Sequence, residues 1–244
     1  MRLRIFALLL VCLLGCGKTP PSKVYQIGVD PSFFPLVLKE QEVYVIAFTN
    51  DLLHEISVDQ HVEFQKIPMS WDNLVDGLYR GNYQAILSSA VPNLINSARY
   101  SFSEPILKTG VVLVVPLQEK KISLAALSNQ LVAMGRDPEE IDLMKNYPDV
   151  DFTFYTTPVK ALEGVATGKF AGALIPTLTA HAYVKDLFQN ELMIASDVLT
   201  PQALRLVTLK NEATPLITLF NQGLLDLQKT GAYPALLSKW ALPQ

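Results

Sequence analysis

The sequence has little cysteine, with two thiols in 244 residues, and both stand near the start. Cys12 lies inside an apolar N-terminal run, and Cys16 directly follows that run. If the N-terminal segment is removed and Cys16 is modified, no free thiol remains in the rest of the chain. A disulfide framework, a thiol nucleophile and a cysteine-based metal site are therefore excluded.

Histidine and positive charge are also scarce. The three histidines (His54, His61 and His181) fall on different predicted elements, without the spacing of metal ligands. The formal net charge is −3, and loss of Arg2 and Arg4 with the N-terminal segment makes it −5. A nucleic-acid-binding protein needs a basic stripe, and this sequence has none. The composition thus predicts no metal, no other cofactor and no nucleic-acid partner.

Long apolar runs are absent after residue 15. Residues 1–15 begin with two arginines and continue with an apolar core of the length found in signal peptides, too short for a membrane-spanning helix. Leu13-Leu14-Gly15-Cys16 resembles a bacterial lipobox, which predicts lipid attachment at Cys16. The alternative is an ordinary secretory signal that contains a cysteine by chance. Residues 16–23 are predicted to be a flexible tether.

Residues 74–105 combine signals for a helix, a strand, a loop and a turn. An amphipathic helix is predicted to end near Gly81, and the apolar run 83–87 is predicted to be a short buried strand. Three small residues follow that run: Ser88, Ser89 and Ala90. Because ligands bind outside the carboxyl ends of strands in open α/β sheets, these three are candidates for ligand binding.

Strand patterns alternate with helix patterns along the rest of the chain. Strands are predicted at residues 24–30, 62–67, 130–134, 151–155, 171–175 and 204–209. Helices are predicted to start at Ser70 and Pro138 and to cover 124–127, 158–167, 215–229 and 233–240. Residues 43–47 form a further candidate strand, followed by a helix that starts near Asp51 and is capped by Thr49 or Asn50. This alternation predicts parallel α/β sheets.

A series of short motifs runs in a recognisable order from residue 24 to residue 240. They are Gly28-Val29-Asp30 with Phe33 and Pro35, Ala47-Phe48-Thr49-Asn50-Asp51-Leu52, Trp71 with Leu74, Leu78 and Gly81, Phe102-Ser103-Glu104-Pro105, Leu162 with Gly168, and Gly231-Tyr233-Lys239-Trp240. Together they resemble the family-3 extracytoplasmic solute-binding proteins, the receptors of polar amino-acid ABC transporters. The turn at 102–105 is the most specific of these motifs.

The resemblance implies a type II periplasmic-binding-protein fold, an α/β fold of two lobes joined by two crossing strands. Lobe one would comprise residues 24–112 and 205–244, and lobe two residues 113–204. The crossings would lie near 111–115 and 203–207, and the lobes would close on a ligand by a hinge motion.

The resemblance also implies the partners of the chain. The ligand would be a small polar solute, an amino acid or a related compound, and the protein partner would be an ABC permease. The chain would be a monomer in the periplasm or at the cell surface, held at the membrane by lipid on Cys16.

The family's clamp for a free amino acid is altered in this sequence. By an ungapped count back from Phe102, Asn96 stands where the family has an arginine that binds the α-carboxylate through two charge-assisted bonds. Pro176 stands where the family has an aspartate for the α-ammonium group. Arg136, in a loop before a predicted helix, is a candidate replacement, and Arg205 is a second one. The alternative for Arg136 is a solvated side chain paired with neighbouring acids.

Other cleft residues follow from the family positions. Asp30 would pair with an amino group, with a turn-capping role before Pro31 as the alternative. Phe33 and Trp71 would form aromatic walls around the ligand, with core packing as the alternative. Ser88, Ser89 and Ala90 would offer backbone carbonyl and N–H groups.

Three functions are consistent with the sequence. The first is a lipid-anchored receptor that delivers a solute to an ABC permease. The second is a sensor or surface protein with another ligand or a protein partner, because the clamp is altered. The third is a dehydratase-like enzyme on the same fold, but we expect no enzymatic activity because the sequence offers no convincing acid/base pair in the cleft and no common catalytic motif.

Overall fold

The computed structural model describes residues 23–33, 38, 41–119 and 122–243. The predicted signal peptide, Cys16, most of the tether and Pro35 lie outside these residues. The described strands are β1 (Lys23–Val29), β2 (Val62–Pro68), β3 (Ala85–Ser88), β4 (Tyr100–Phe102), β5 (Leu107–Lys108), β6 (Val111–Pro116), β7 (Leu131–Met134), β8 (Asp151–Phe154), β9 (Gly172–Pro176), β10 (Leu192–Ile194) and β11 (Ala203–Leu209). The described helices are α1 (Glu42–Gln60), α2 (Trp71–Tyr79), α3 (Asn96–Arg99), α4 (Pro138–Met144), α5 (Pro158–Ala166), α6 (Thr177–Asp186), α7 (Thr214–Thr230) and α8 (Ala232–Lys239), with a 3₁₀ turn at Leu124–Leu127.

The strands form two mixed sheets. The first sheet has the order β2-β1-β3-β11-β4, and β5 also pairs with β11. In it, β1 is parallel to β2 and β3, whereas β11 is antiparallel to β3. The second sheet has the order β10-β6-β9-β7-β8, with β7 parallel to β8 and β9. The predicted two-sheet α/β fold is confirmed, and the predicted lobe boundaries stay a prediction.

Helices cover both faces of each sheet, and alternation along the strands decides which side chains face which helices. In β11, Leu204 and Leu206 pack with α1, α7 and α8, whereas Val207 packs on the opposite face with α2. In the second sheet, the continuous apolar strand β6 sends alternate valine and leucine side chains into the cores on its two faces. Such uninterrupted apolar runs are typical of strands that are buried on both sides.

Two crossings connect the sheets, and they run side by side. The chain leaves the first sheet after β5 and returns to it at β11. The N–H groups of Thr109 and Gly110 both donate to the carbonyl of Gln202 (3.0 and 3.1 Å). One step further, the N–H of Val111 donates to the hydroxyl of Thr200 (2.9 Å). The crossings are thus joined to each other by hydrogen bonds, in line with β5 and β11.

The sequence-based prediction for the region of α1 was wrong. The predicted strand at 43–47 is helical, and the helix begins at Glu42 instead of near Asp51. Thr49 lies inside the helix, where its hydroxyl donates to the carbonyl of Val45 (2.6 Å). Buried positions recur at helical spacing along α1, and they form a stripe that packs against the first sheet: Val45, Phe48, Leu52 and Ile56. Burial of that stripe outweighs the strand preference of the valine-rich start.

Helix ends were predicted more accurately. Gly81 follows α2 with a φ of 72°, and Gly231 ends α7 with a φ of 80°. These positive φ values are accessible to glycine without a steric penalty. Both predicted stops are confirmed.

Candidate functional site

The carboxyl edge of the first sheet brings together three polar residues from three neighbouring strands. Val29 of β1 pairs with Leu87 of β3, so Asp30 follows β1 at the level of Ser88. Ser88 in turn pairs with Arg205 on the antiparallel strand β11. We call Asp30, Ser88 and Arg205 the three-strand row.

Two members of this row share one face of the sheet. Ser88 and Arg205 are each two residues away from a position that faces α2, Ile86 and Val207, so alternation along their strands points both toward the α2 side. Asp30 directly follows the last residue of β1, and its turn with Ser32 sets the direction of its carboxylate. With adjacent strands about 4.8 Å apart, the backbones at the two ends of the row are about 10 Å apart. An acid and a guanidinium therefore flank a hydroxyl at the edge where ligands of α/β sheets bind.

Asp30 is buried and is held in a tight turn. Its Oδ1 accepts hydrogen bonds from the backbone N–H (2.8 Å) and the hydroxyl (2.7 Å) of Ser32. This is the turn-capping alternative of the sequence analysis. The turn fixes the orientation of the carboxylate, and its role toward an amino group stays a prediction.

Ser88, the last residue of β3, and the two small residues after it differ in their hydrogen bonding. The Ser88 hydroxyl accepts a hydrogen bond from the N–H of Ala90 (3.1 Å) and so shapes the exit from the strand. Ser89 is buried, and its hydroxyl has no hydrogen-bond partner among the described residues. Leaving a buried polar group unpaired costs about 1–3 kcal/mol. The Ser89 hydroxyl is therefore an unpaired polar group that is closed to solvent in this conformation.

Arg205 is half-buried and only partly satisfied. Its Nη1 donates to the carbonyl of Ser103 (3.0 Å), whereas its Nε is buried without a partner in the described part of the chain. Burial lowers the pKa of the guanidinium, and the nearby Glu104 carboxylate acts in the opposite direction. Because the ordinary pKa of arginine is so high, the side chain stays charged at neutral pH.

Asn96 ties its own loop together. Its Nδ2 donates to the carbonyl of Val91 (3.0 Å), and its backbone N–H donates to Oδ1 of Asn93 (2.8 Å). Leu94, at the tip of this loop, is 96% exposed. Asn96 is thus neutral and hydrogen-bonded within the loop, and its correspondence to the family's carboxylate position stays a prediction.

The two candidate aromatic walls lie on opposite faces of the first sheet. Phe33 is 4% exposed and packs in the core on the α1 side. Trp71 is partly buried at the start of α2 and packs against the cluster that contains Leu74 and Leu78. Trp71 is therefore on the same face as two members of the three-strand row. The placement of Phe33 corresponds to core packing, and contact of either ring with a ligand stays a prediction.

The second sheet presents different chemistry at its carboxyl edge. Arg136 is exposed, and its guanidinium lies 4.6 Å from the centre of the Phe154 ring. No ion pair of Arg136 occurs among the described residues. At the end of β9, Pro176 offers no charge, and the N–H and hydroxyl of Thr177 both donate to the carbonyl of Gly110 (2.8 and 2.5 Å). The carboxyl edge of the second sheet therefore carries one cation, Arg136, stacked on an aromatic ring, and Thr177 hydrogen-bonds this edge to the crossing at Gly110.

Glu140 is a buried acid whose burial the sequence analysis missed. It is 1% exposed, and its Oε2 accepts a hydrogen bond from the N–H of Gly135 (2.7 Å). Burial raises its pKa to about 7, the Gly135 hydrogen bond lowers it, and the nearby Asp137 and Glu139 carboxylates raise it further. Glu140 lies three residues after the N-cap Asp137, the spacing at which a capping-box glutamate bonds to the N-cap N–H, but its carboxylate accepts from Gly135 instead, so the spacing alone does not predict this contact.

Two cavities lie in the described part of the chain. One of about 240 Å³ on the α1 side is lined by Phe33, Ile46 and Lys66, and also by Val29 and Pro31, the chain neighbours of Asp30. Another of about 520 Å³ lies where β7 and β9 begin, at the edge opposite their carboxyl ends. Within the described ranges, no three metal-ligating side chains gather into a cluster, and no helix has the length and apolarity to cross a membrane.

Comparison with known proteins gives consistent matches along the chain. A model of the bacterial extracellular solute-binding proteins, family 3, matches residues 25–243. The virulence sensor protein BvgS of Bordetella pertussis is 28% identical over 224 residues, which cover 89% of this chain and 18% of the sensor. The L-cystine-binding protein TcyJ of Escherichia coli K12 is 22% identical over 217 residues, covering 88% of this chain and 81% of that protein.

Solved structures share the fold. The unliganded, open L-cystine solute receptor of Neisseria gonorrhoeae superposes with a TM-score of 0.70 at 14% identity, covering 90% of this chain and 93% of the receptor. At that identity the likeness concerns the fold alone. The described chain spans less than a fifth of the BvgS sensors but most of the cystine-binding proteins.

Proposed function

Because this chain belongs to the bacterial extracellular solute-binding proteins of family 3, we propose that it captures a small polar solute between its two sheets and delivers it to an ABC permease. The solute is an amino acid or an amino-acid-like compound. The observation that supports this proposal is the three-strand row, in which an acid, a hydroxyl and a guanidinium lie on neighbouring strands at the carboxyl edge of the first sheet, the kind of edge where α/β sheets bind ligands.

Capture by hinge closure is part of the proposal. The predicted lobes, residues 24–112 with 205–244 and residues 113–204, each contain one sheet, and the hydrogen-bonded crossings lie between them. Closure would bring the Arg136 loop of the second sheet toward the row. Lipid on Cys16 would keep the receptor close to the permease, at the outer side of the cytoplasmic membrane or at the cell surface.

The proposal is one of binding without catalysis. In the row, Asp30 is the single acid, and Ser32 already engages it. General acid–base catalysis needs a second group that is placed to give or take a proton. Glu140 could titrate near neutral pH, but it is buried beneath Gly135.

A second candidate function is a solute-responsive sensor module. The alignment with the BvgS sensors over 89% of this chain favours it. The altered clamp also fits a ligand outside the common amino acids. In this case the closed form would be recognised by a signalling partner instead of a permease.

A thermal-shift screen of the full chain tests the proposed function. The panel contains the twenty common amino acids, L-cystine, dipeptides and small carboxylates. A ligand present at a hundred times its dissociation constant stabilises the folded state by about 2.7 kcal/mol, which shifts the melting temperature measurably. A flat response across the panel would refute the amino-acid proposal. Uptake of the radiolabelled hit, measured with and without the protein, separates the transport role from the sensor role.

A further inference from the structure

The guanidinium in the three-strand row has unused hydrogen-bonding capacity. Arginine carries five N–H donors in a rigid fork. Nη1 of Arg205 donates to the Ser103 carbonyl, and the buried Nε has no partner among the described residues. Buried donors in folded proteins are nearly always satisfied. Because Nε is closed to solvent here, a bound molecule at this edge would first meet the exposed part of the half-buried side chain, and Nε would gain an acceptor only after the side chain moves.

Arg205 also lies next to the loop in which Asn96 is predicted to replace an arginine of the family. The loop with Asn96 leads through α3 into β4, and β4 pairs with β11 from Phe102 opposite Val207. Arg205 lies two residues from that pair, toward the cleft edge, and reaches Ser103 directly after β4. The neutral Asn96 side chain is occupied with the Val91 carbonyl. The charge absent from the loop is thus present on the adjacent strand.

We infer that Arg205 is the residue that binds the carboxylate of the solute. This inference rests on the proposed function, and it names the substrate class as solutes that carry a free carboxylate. A carboxylate accepts two parallel bonds from a guanidinium, which gives both charge neutralisation and fixed geometry.

Asp30 completes the recognition of an α-amino acid. The backbones of Asp30 and Arg205 are about 10 Å apart across the row, which leaves room for a zwitterionic head group between the two side chains. A carboxylate has about four acceptor sites, and Ser32 uses two of them on Oδ1. The remaining sites can accept an ammonium group. Both charges of the solute would then be bound by the first sheet.

Arg80 is the matched control for this inference, because it is an exposed arginine paired with Asp76 and lies before the start of β3, at the opposite end of that strand from Ser88. Arg136, which is exposed and stacked on Phe154 of the second sheet, is the competing candidate for the carboxylate. The alternative role for Arg205 is structural, since it holds the Ser103 carbonyl and lies near Glu104. A test must therefore separate carboxylate recognition from maintenance of the turn.

Titration calorimetry on the full chain makes this separation. Each panel amino acid that binds is compared with its carboxamide, which lacks the negative charge. We expect the wild type to prefer the acid, and Arg205→Gln to lose about 10- to 100-fold of acid affinity with little change for the amide. Arg205→Lys, which keeps the charge without the fork, should fall between the two, and Arg80→Gln should match the wild type.

Each other outcome counts against a distinct claim. Equal losses for acid and amide in Arg205→Gln, or acid affinity within twofold of the wild type, would overturn the inference and leave the proposed function standing. Loss of acid preference in Arg136→Gln instead would assign the carboxylate to the second sheet. Failure of the wild type to bind any panel member would refute the proposed function and the inference together.

Discussion

Replacement of Glu140 by glutamine should make the second half of the molecule less sensitive to pH. The Glu140 carboxyl is almost fully buried, and its pKa is raised from the ordinary 4.5 to about 7, mainly by burial. The folded state therefore binds this proton more tightly than the unfolded state does. The resulting stabilisation is complete below about pH 4.5 and is lost as the pH rises through 7.

The magnitude follows from the size of the shift. Each pKa unit corresponds to about 1.4 kcal/mol, so a rise from 4.5 to about 7 amounts to about 3 kcal/mol of unfolding free energy between pH 4.5 and pH 8. Glutamine resembles the protonated form, and its amide oxygen can still accept the bond from the Gly135 N–H. We thus expect Glu140→Gln to be close to the wild type at pH 5 and more stable at pH 8.

Urea unfolding at pH 5 and pH 8 measures this difference. The chain has two tryptophans, Trp71 and Trp240, and both pack against the cores of the first sheet. Circular dichroism is therefore preferable to fluorescence, because it also reports the second sheet. Asp142→Asn is the matched control, since Asp142 lies on the same helix in an exposed pair with Lys145. Its stability relative to the wild type should change little with pH.

One result would refute the reasoning about Glu140. If the stability difference between Glu140→Gln and the wild type is the same at pH 5 and pH 8, the carboxyl does not titrate abnormally in the folded state. Equal destabilisation at both pH values would mean that the side chain matters for packing around Gly135 and not for its charge.

Three further predictions concern packing, the crossing and the anchor. Phe48→Ala should destabilise the chain by about 3–5 kcal/mol in urea unfolding because it empties a fully buried site, whereas Val43→Ala, 70% exposed on the same helix, should stay within about 0.5 kcal/mol. Thr177→Val removes a hydroxyl that donates to Gly110 and should cost about 1 kcal/mol in the same assay; no change would mean that the hydroxyl is satisfied otherwise. Cys16→Ser should abolish labelling with a fatty-acid probe and release the chain from membranes, and retention with label would refute the lipobox prediction.

Local sequence patterns were sufficient to predict the elements whose periodicity and end residues lie within the element itself. The long amphipathic helix α7 and its stop at Gly231 follow from helical periodicity and a positive-φ glycine. The buried strand β3 and the small residues after it follow from a short apolar run with a clear end. These signals lie within one element, so no knowledge of distant residues is needed.

Other elements depend on distant partners. The short strands β4, β5 and β10 form because they pair with β11 or β6, and two or three residues carry no periodicity of their own. Helix α6 was not predicted because it follows Pro176 directly and its composition is only weakly amphipathic. The start of α1 was misassigned because valine-rich residues favour strands until a buried stripe decides otherwise.

The candidate site was predictable only in part. Asp30 is the last residue of one predicted strand and Ser88 follows another, so their edge could be inferred. That Arg205 stands opposite Ser88 requires the antiparallel register of β11, a pairing across more than a hundred residues. The burial of Glu140 depends likewise on the packing of α4 beneath Gly135, whereas the sequence shows only an acid near a helix start.

The paired crossings have a mechanical consequence. Two chain segments that are hydrogen-bonded side by side form a ribbon, and such a ribbon resists stretching and sliding more strongly than twisting. We therefore expect the two sheets to move relative to each other mainly by rotation about one torsion angle when a solute binds. Distances between several pairs of spin labels on the two sheets should then change in fixed proportion as solute is added, and independent changes would exclude a single torsion. A downstream partner would need to read only that one angle, whichever solute produced it.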